Sequence, residues 1–360
     1  MKTEYIIGIV IVVLVAAGLG VLFISPSLSV STSVGTNVLE ESADTLAGIE
    51  GQPKPKGEPY KEIVNPSGFV NTDPISIEQF VGKKVILIDF LTYSCINCQR
   101  TFPYLNAWEE KYRDQGLVII GIHTPEFAFE KNIDNVREAM RKFGITHPIV
   151  LDNEYSTWNA WGNQYWPRKY LIDIYGNVVY DHIGEGAYEE TEMKIRELLD
   201  ERARVLGEQA IASSGSLASD SVVQTDSLSK SPETYFGSDR NERLGNGTRG
   251  VPGTQSFLIP ETIKSNTLYL DGKWDITKEY AKNTQAGARI VYKFESKNVH
   301  FVAGADGPIE ISTLLDGKSI GVRTIQANTL YTLVSNASTG EHTLEIVINN
   351  PGLEAYTFTF

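Results

Sequence analysis

Two cysteines stand three positions apart, Cys95-Ile96-Asn97-Cys98, where the apolar run Val85–Phe90 gives way to a helical pattern over Cys95–Arg113. That junction constrains the fold more than any other feature. A short, wholly apolar run is the mark of a strand buried on both faces. A helix leaving its end places the cysteines at the carboxyl edge of an α/β sheet, where open sheets put their sites. No other cysteine occurs in the 360 residues. A framework of structural disulfides, which needs cysteines spread along the chain to close loops, is therefore excluded.

The segment around the dithiol alternates strand and helix signals. Leu117–Ile122 is a second buried strand, and Asn132–Phe143 an amphipathic helix with Val136, Ala139, Met140 and Phe143 on one face. Pro148–Leu151, Tyr170–Ile174 and Val178–His182 read as strands and Glu189–Val205 as a closing helix. This predicts an α/β domain over residues 74–206, a central mixed sheet with helices on both faces. Upstream, Tyr5–Ile24 carries no charge. Twenty such residues span roughly 30 Å, the thickness of a bilayer's hydrocarbon core. Lys2 sets a positive-inside bias, so residues 1–25 are expected to be a single transmembrane helix with the N-terminus cytoplasmic; a cleaved signal peptide is the alternative, and either way the rest is exported. Residues 26–73, rich in Ser, Thr, Gly, Pro and Glu, read as an extracytoplasmic spacer, and 207–231 as a flexible linker that lets the flanking domains move freely.

From Pro232 to Phe360 the texture changes to short alternating runs such as Arg289–Phe294, Val299–Val302, Ile309–Leu315, Thr343–Ile348 and Ala355–Phe360. Turn signals at Asp271-Gly272, Asp316-Gly317 and Asn350-Pro351-Gly352 divide them, which predicts an all-β antiparallel sandwich of jelly-roll kind over 232–360. Its Trp274, Tyr280, Tyr269 and Tyr292 are candidates for a platform that stacks on sugars. The net charge of −13 argues against nucleic acid, whose phosphates it would repel.

The dithiol carries the chemistry. At a helix start, free N–H groups and the dipole favour the thiolate of Cys95, which makes it the attacking sulfur. Cys98, one turn on, lies on the same face and can resolve a mixed disulfide by forming a redox-active Cys95–Cys98 bond. The same spacing is half of a zinc site, but a structural zinc needs two more ligands, and His123, His147 and His182 are scattered. No metal or cofactor is expected. Asp89, six positions before Cys95 and inside the apolar strand, is costly to bury unpaired. Desolvation would raise its pKa and suit it to moving a proton to or from Cys98. Pro103 falls inside the first helix and is expected to kink it. A cis bond between Trp166 and Pro167 would set the Trp166 backbone beside the sulfurs, so Trp166, Pro167 and Tyr93 are the candidate substrate-binding residues. His123 and Glu126, after the second buried strand, are possible auxiliary groups, the histidine as a partner for the thiolate or a proton relay.

Together, a buried acid six before the first cysteine, a proline eight after it and a proline before a late strand resemble the thioredoxin superfamily over Lys84–Leu206. The long stretch between Leu117 and Trp161 resembles the strand–helix insertion of the TlpA, ResA and peroxiredoxin-like branch. YSCINCQRTFPYLNAW, GIHTPEFAFE and NQYWPRKYLIDIYGNVVYDHIGEG are similar to the soluble part of DipZ-type membrane thiol–disulfide proteins, in which a sandwich resembling a carbohydrate-binding module follows. The resemblance implies a thiol–disulfide oxidoreductase that reduces or shuffles disulfides in exported proteins. It also implies an electron donor of the CcdA kind in the membrane and contact with cell-surface carbohydrate through 232–360. Cys95 follows Ser94 rather than tryptophan, and Ile96-Asn97 replaces Gly-Pro, which leaves the direction of electron flow open. Two alternatives stay: a copper metallochaperone of the Sco-like kind and, from Thr92-x-x-Cys95, a thiol peroxidase.

Overall fold

The computed structural model describes residues 57–209, 216–223, 229–335, 337–338 and 340–360. The run Tyr5–Ile24 lies outside the described residues, among which no helix is long and apolar enough to cross a membrane. The first domain is built on a sheet of seven strands: β1 (Glu58–Pro59), β2 (Gly68–Val70), β3 (Val85–Leu91), β4 (Leu117–His123), β5 (Ile149–Leu151), β6 (Arg168–Ile172) and β7 (Asn177–Ile183). Their order is β1-β7-β6-β3-β4-β5-β2. Strand β3 pairs parallel with β4 and antiparallel with β6, so the sheet is mixed with β3 at its centre. Four helices follow the strands: α1 (Ile96–Tyr112), α2 (Ile133–Lys142), α3 (Ser156–Ala160) and α4 (Tyr188–Leu206).

All seven residues of β3 are buried, as an apolar, β-branched run in a central strand must be. Its alternation divides the core. Val85, Leu87 and Leu91 face Phe102, Leu105 and Trp108 of α1 and Ile195, Leu198 and Leu199 of α4. Ile86, Ile88 and Phe90 face a second cluster with Ile77, Val81, Ile172 and Trp158 of α3. Asp89 alternates with Leu87 and Leu91, so it points toward α1.

The sheet reaches further upstream than the sequence suggests. β2 pairs with β5 and β1 with β7, and Val70 and Phe69 pack into the two cores, although all these residues fall in the expected spacer. Two- and three-residue strands are too short to show a period, which hides them. The linker is likewise partly tied down. Within 216–223, Ala218 is buried, and the backbone N–H groups of Ala218 and Ser219 donate to the Glu192 carboxylate of α4 at 2.5 and 2.8 Å.

The C-terminal domain is an eleven-stranded antiparallel sheet. The strand Leu268–Ile276 serves both of its halves. Leu268–Asp271 pair with Ala288–Phe294, and Gly272–Ile276 with Gly253–Phe257. Asp271-Gly272, expected to be a turn, is instead the point inside the strand where partners change, and Gly272 takes φ +88 there. Asp316-Gly317 does form a hairpin turn, with φ values of 51 and 75. Both halves fill one core that contains Trp274, Tyr292, Phe301 and Phe358. Three of the four candidates for a sugar-stacking platform are not available for it: Trp274, Tyr292 and Tyr269 are buried. Half-buried Tyr280 packs on Tyr356 with ring centroids 5.1 Å apart.

The two domains do not move freely; they are packed together. Ile96 and Phe127 of the first share an apolar cluster with Val302, Leu330 and Tyr356 of the second. Arg240 pairs with Glu126 at 2.6 Å, and the Tyr235 hydroxyl donates to the same carboxylate at 2.9 Å. The Ala128 N–H donates to Glu279 at 2.9 Å, and Arg100 donates to the Phe360 carbonyl at 3.0 Å. A polar linker carries no sign of such an interface, because the residues that make it lie more than a hundred positions apart.

Candidate active site

Cys95 is the N-cap of α1, with extended backbone (φ −75, ψ 122) and no acidic residue in the first turn behind it. Its side chain is half-buried, while Cys98 is fully buried; both are free thiols. The Gln99 N–H donates to the Cys95 carbonyl at 3.0 Å and starts the helical ladder. Burial holds the Cys98 thiol well above the ordinary cysteine range, and its hydrogen bond with Cys95 and the nearby Asp89 push it the same way. The two sulfurs thus differ: one is half-exposed at the helix start and the other is buried and held protonated.

Beneath Cys98, Asp89 is fully buried and neither carboxylate oxygen has a hydrogen-bond partner. Burial pushes it up to about 7, and the charge of Lys169 pulls it back down. A carboxyl poised near neutrality can accept or return a proton. Pro103 lies within α1, which runs on to Tyr112. The Trp166–Pro167 bond is cis. The Trp166 indole N–H donates to the Thr124 carbonyl at 3.0 Å, and the Pro167 carbonyl accepts from the Gly184 N–H at 2.8 Å. The loop Gly184–Gly186 therefore borders the proline.

Three expected roles change. Tyr93 is buried, and its hydroxyl donates to the Asn328 carbonyl of the C-terminal domain at 3.2 Å, so it is closed to a substrate. His123 is fully buried against the Tyr93 ring, stacked at 5.7 Å, and neither of its nitrogens has a partner. Desolvation pushes it down to about 3, so it is neutral at physiological pH and supplies no positive charge to a thiolate. Glu126 belongs to the domain interface through Arg240 and Tyr235.

Two buried groups at the site were not foreseen. Glu130 accepts from the Ser94 hydroxyl at 2.6 Å, the Ser94 N–H at 3.3 Å and the Glu126 and Phe127 N–H groups at 2.6 and 2.9 Å. It thereby fixes the residue just before Cys95, and burial pushes it up to about 7. An acid four residues after Glu126, amid Phe127 and Phe129, was the available signal. Lys169 is the other, fully buried at the start of β6.

A mixed sheet with a half-exposed cysteine capping α1, a buried partner one turn on and a cis-proline loop define the class: a thioredoxin-like domain whose dithiol is arranged for thiol–disulfide exchange. Comparison with known proteins agrees. Residues 55–199 match the model of the Redoxin family, and 231–360 match that of the thioredoxin-like C-terminal domain. The chain is 36% identical over 297 residues to protein DipZ of Mycobacterium tuberculosis (strain CDC 1551 / Oshkosh), covering 82% of this chain and 41% of that protein. It is 41% identical over 120 residues to NHL repeat-containing protein 2 of Bos taurus, covering 33% of this chain and 16% of that protein. It is also 27% identical over 144 residues to the thiol-disulfide oxidoreductase YkuV of Bacillus subtilis, covering 40% of this chain and 96% of YkuV. The chain spans only 41% of the length of the DipZ relatives it matches.

Proposed function

We propose that this protein is a membrane-tethered, extracytoplasmic thiol–disulfide oxidoreductase that reduces or shuffles disulfides in exported proteins. The observation that carries the reading is the stacking of the site, with Cys95 half-exposed at the start of α1, Cys98 buried behind it and Asp89 unpaired beneath. In the reducing direction the Cys95 thiolate attacks one sulfur of a substrate disulfide. The substrate S–S bond breaks, a Cys95–substrate disulfide forms and the other substrate sulfur leaves as a thiolate. Cys98 then gives its proton to Asp89 and attacks the Cys95 sulfur. The second substrate thiolate leaves, and two electrons have passed from the dithiol to the substrate, leaving Cys95–Cys98 oxidised. Oxidation of a substrate is the reverse sequence.

The apolar run Tyr5–Ile24 supports the tether, and an exported dithiol requires a membrane donor of the CcdA kind to reduce it again. With Trp274, Tyr269 and Tyr292 in the core, the proposal gives the C-terminal domain a share in walling the dithiol rather than a sugar-stacking platform. Protease protection on intact cells tests the location. Cleavage within 207–231 from outside is expected, and full protection until lysis would overturn it. Equilibration of the full chain with thiol buffers tests the chemistry. A single two-electron transition is expected, and failure to form the Cys95–Cys98 bond would refute the reading.

A further inference from the structure

Lys169 is the only fully buried lysine among the described residues, and none of the exchange steps above uses it. In the antiparallel register of β3 and β6 it stands directly opposite Asp89. Residues so paired point to the same face, with Cβ atoms about 4.5–5.5 Å apart. The ammonium thus shares the space beneath Cys98 with a carboxylate that has no hydrogen-bond partner. Its Nζ donates to the Gly184 carbonyl at 3.1 Å and lies 5.7 Å from the centre of the Tyr188 ring. Gly184 in turn donates its N–H to the Pro167 carbonyl. The charged or titratable groups that face Lys169 are Asp89 from β3, Cys98 from α1, His182 opposite it on β7, Glu185 from the loop before α4 and Tyr188 from α4. Glu185 is already paired with Arg100 at 3.2 Å. Burial draws the lysine below its ordinary range, against the pull of Asp89, Cys98 and Glu185. Packing an ammonium and a carboxylate into a core costs several kcal/mol per ion, where apolar residues would pack without that cost. Such arrangements concentrate at working sites.

We infer that Lys169 is a positioning residue for exchange: its ammonium supports the Asp89 carboxylate beneath Cys98, so that the carboxylate can take the Cys98 proton. The inference rests on the reading of Asp89 as proton acceptor, and the test separates the two. The full chain, reduced, is mixed with an aromatic nitrobenzoate disulfide. The first release of coloured thiolate reports attack by Cys95, the second attack by Cys98. In the unaltered protein the second phase should follow a pH midpoint near that of Asp89. Lys169→Met should raise this midpoint by about one pH unit and slow the second phase about fivefold at pH 7. The first phase should change by less than about twofold, and Lys169→Arg should restore the second. Asp89→Asn should abolish the midpoint, and adding Lys169→Met to it should cause no further slowing, as expected for groups acting through one another.

A midpoint that stays in place in Lys169→Met while Asp89→Asn removes it would overturn the role of Lys169 and leave that of Asp89 standing. A midpoint that survives Asp89→Asn would overturn both. Should Lys169→Met fail to fold, magnetic resonance on the unaltered chain decides. The Lys169 ammonium signal should shift as Asp89 titrates, and an ammonium indifferent to Asp89 would refute the inference.

Discussion

The two domains bury very different things. Among the described residues, every buried Asp, Glu, Lys and Arg lies in the thioredoxin-like domain, including Asp89, Glu130, Lys169 and Glu192. The buried polar residues of the C-terminal domain are Ser, Thr, Asn and one histidine, His300. Its core is instead aromatic, with Phe236 against Phe358 at 5.2 Å and Phe301 against Phe358 at 5.1 Å. One domain fills its core with aromatic rings, while the other also buries charge, some of it in structural bonds such as those of Glu192 and some of it, Asp89 and Lys169, beneath the dithiol. The difference teaches where function sits: a charge in a core that apolar groups could fill is retained for work.

The sharpest way to break this contrast is to cut into the aromatic core. Trp274→Ala should destabilise the C-terminal domain by about 3–5 kcal/mol, read as a fall in its denaturant midpoint. A loss below about 1 kcal/mol would mean that the aromatic core does not hold that domain. Removing the charge from the other core should behave differently. Burial raises Asp89 to about 7, so between about pH 4 and 7 the folded chain holds a proton the unfolded chain has lost. Stability from this group is therefore lost as pH rises through that window. Asp89→Asn should lack this fall, and its stability relative to the unaltered protein should grow by about 4 kcal/mol from pH 4 to 8. A constant difference across that range would show that Asp89 is ionised throughout. The smallest effect concerns the seam between the domains. Arg240 is partly exposed, so Arg240→Ala should cost only about 1–2 kcal/mol. It should speed hydrogen exchange at Phe127–Phe129, and unchanged protection there would show that the interface does not depend on this ion pair.

What was legible in the sequence follows the same divide. Val85–Leu91, α1 and Asp89 could be read because an acid within an apolar run breaks a pattern that physics enforces. Lys169 could not, since a lysine beside Arg168 at the start of a strand looks like any solvated end. Glu130 hid in the short 3-10 helix Ala128–Lys131, four residues that are too few to show a period. The strand signals of the C-terminal domain came from alternation, but alternation does not say which aromatics face outward, so Trp274 and Tyr292 could be mistaken for a platform. The interface was illegible for a related reason. Ile96 meets Val302, Leu330 and Tyr356 across more than two hundred positions of sequence, and no local pattern encodes the meeting.

The central claim is that Cys95 enters and Cys98 resolves, and trapping tests it most directly. The full chain is expressed with either cysteine replaced by serine, and disulfide-linked partners are separated without reductant. The account predicts that Cys98→Ser accumulates mixed disulfides with exported proteins through Cys95, while Cys95→Ser, whose remaining thiol is buried and protonated, accumulates none. Equal trapping by both variants, or by Cys95→Ser alone, would contradict it.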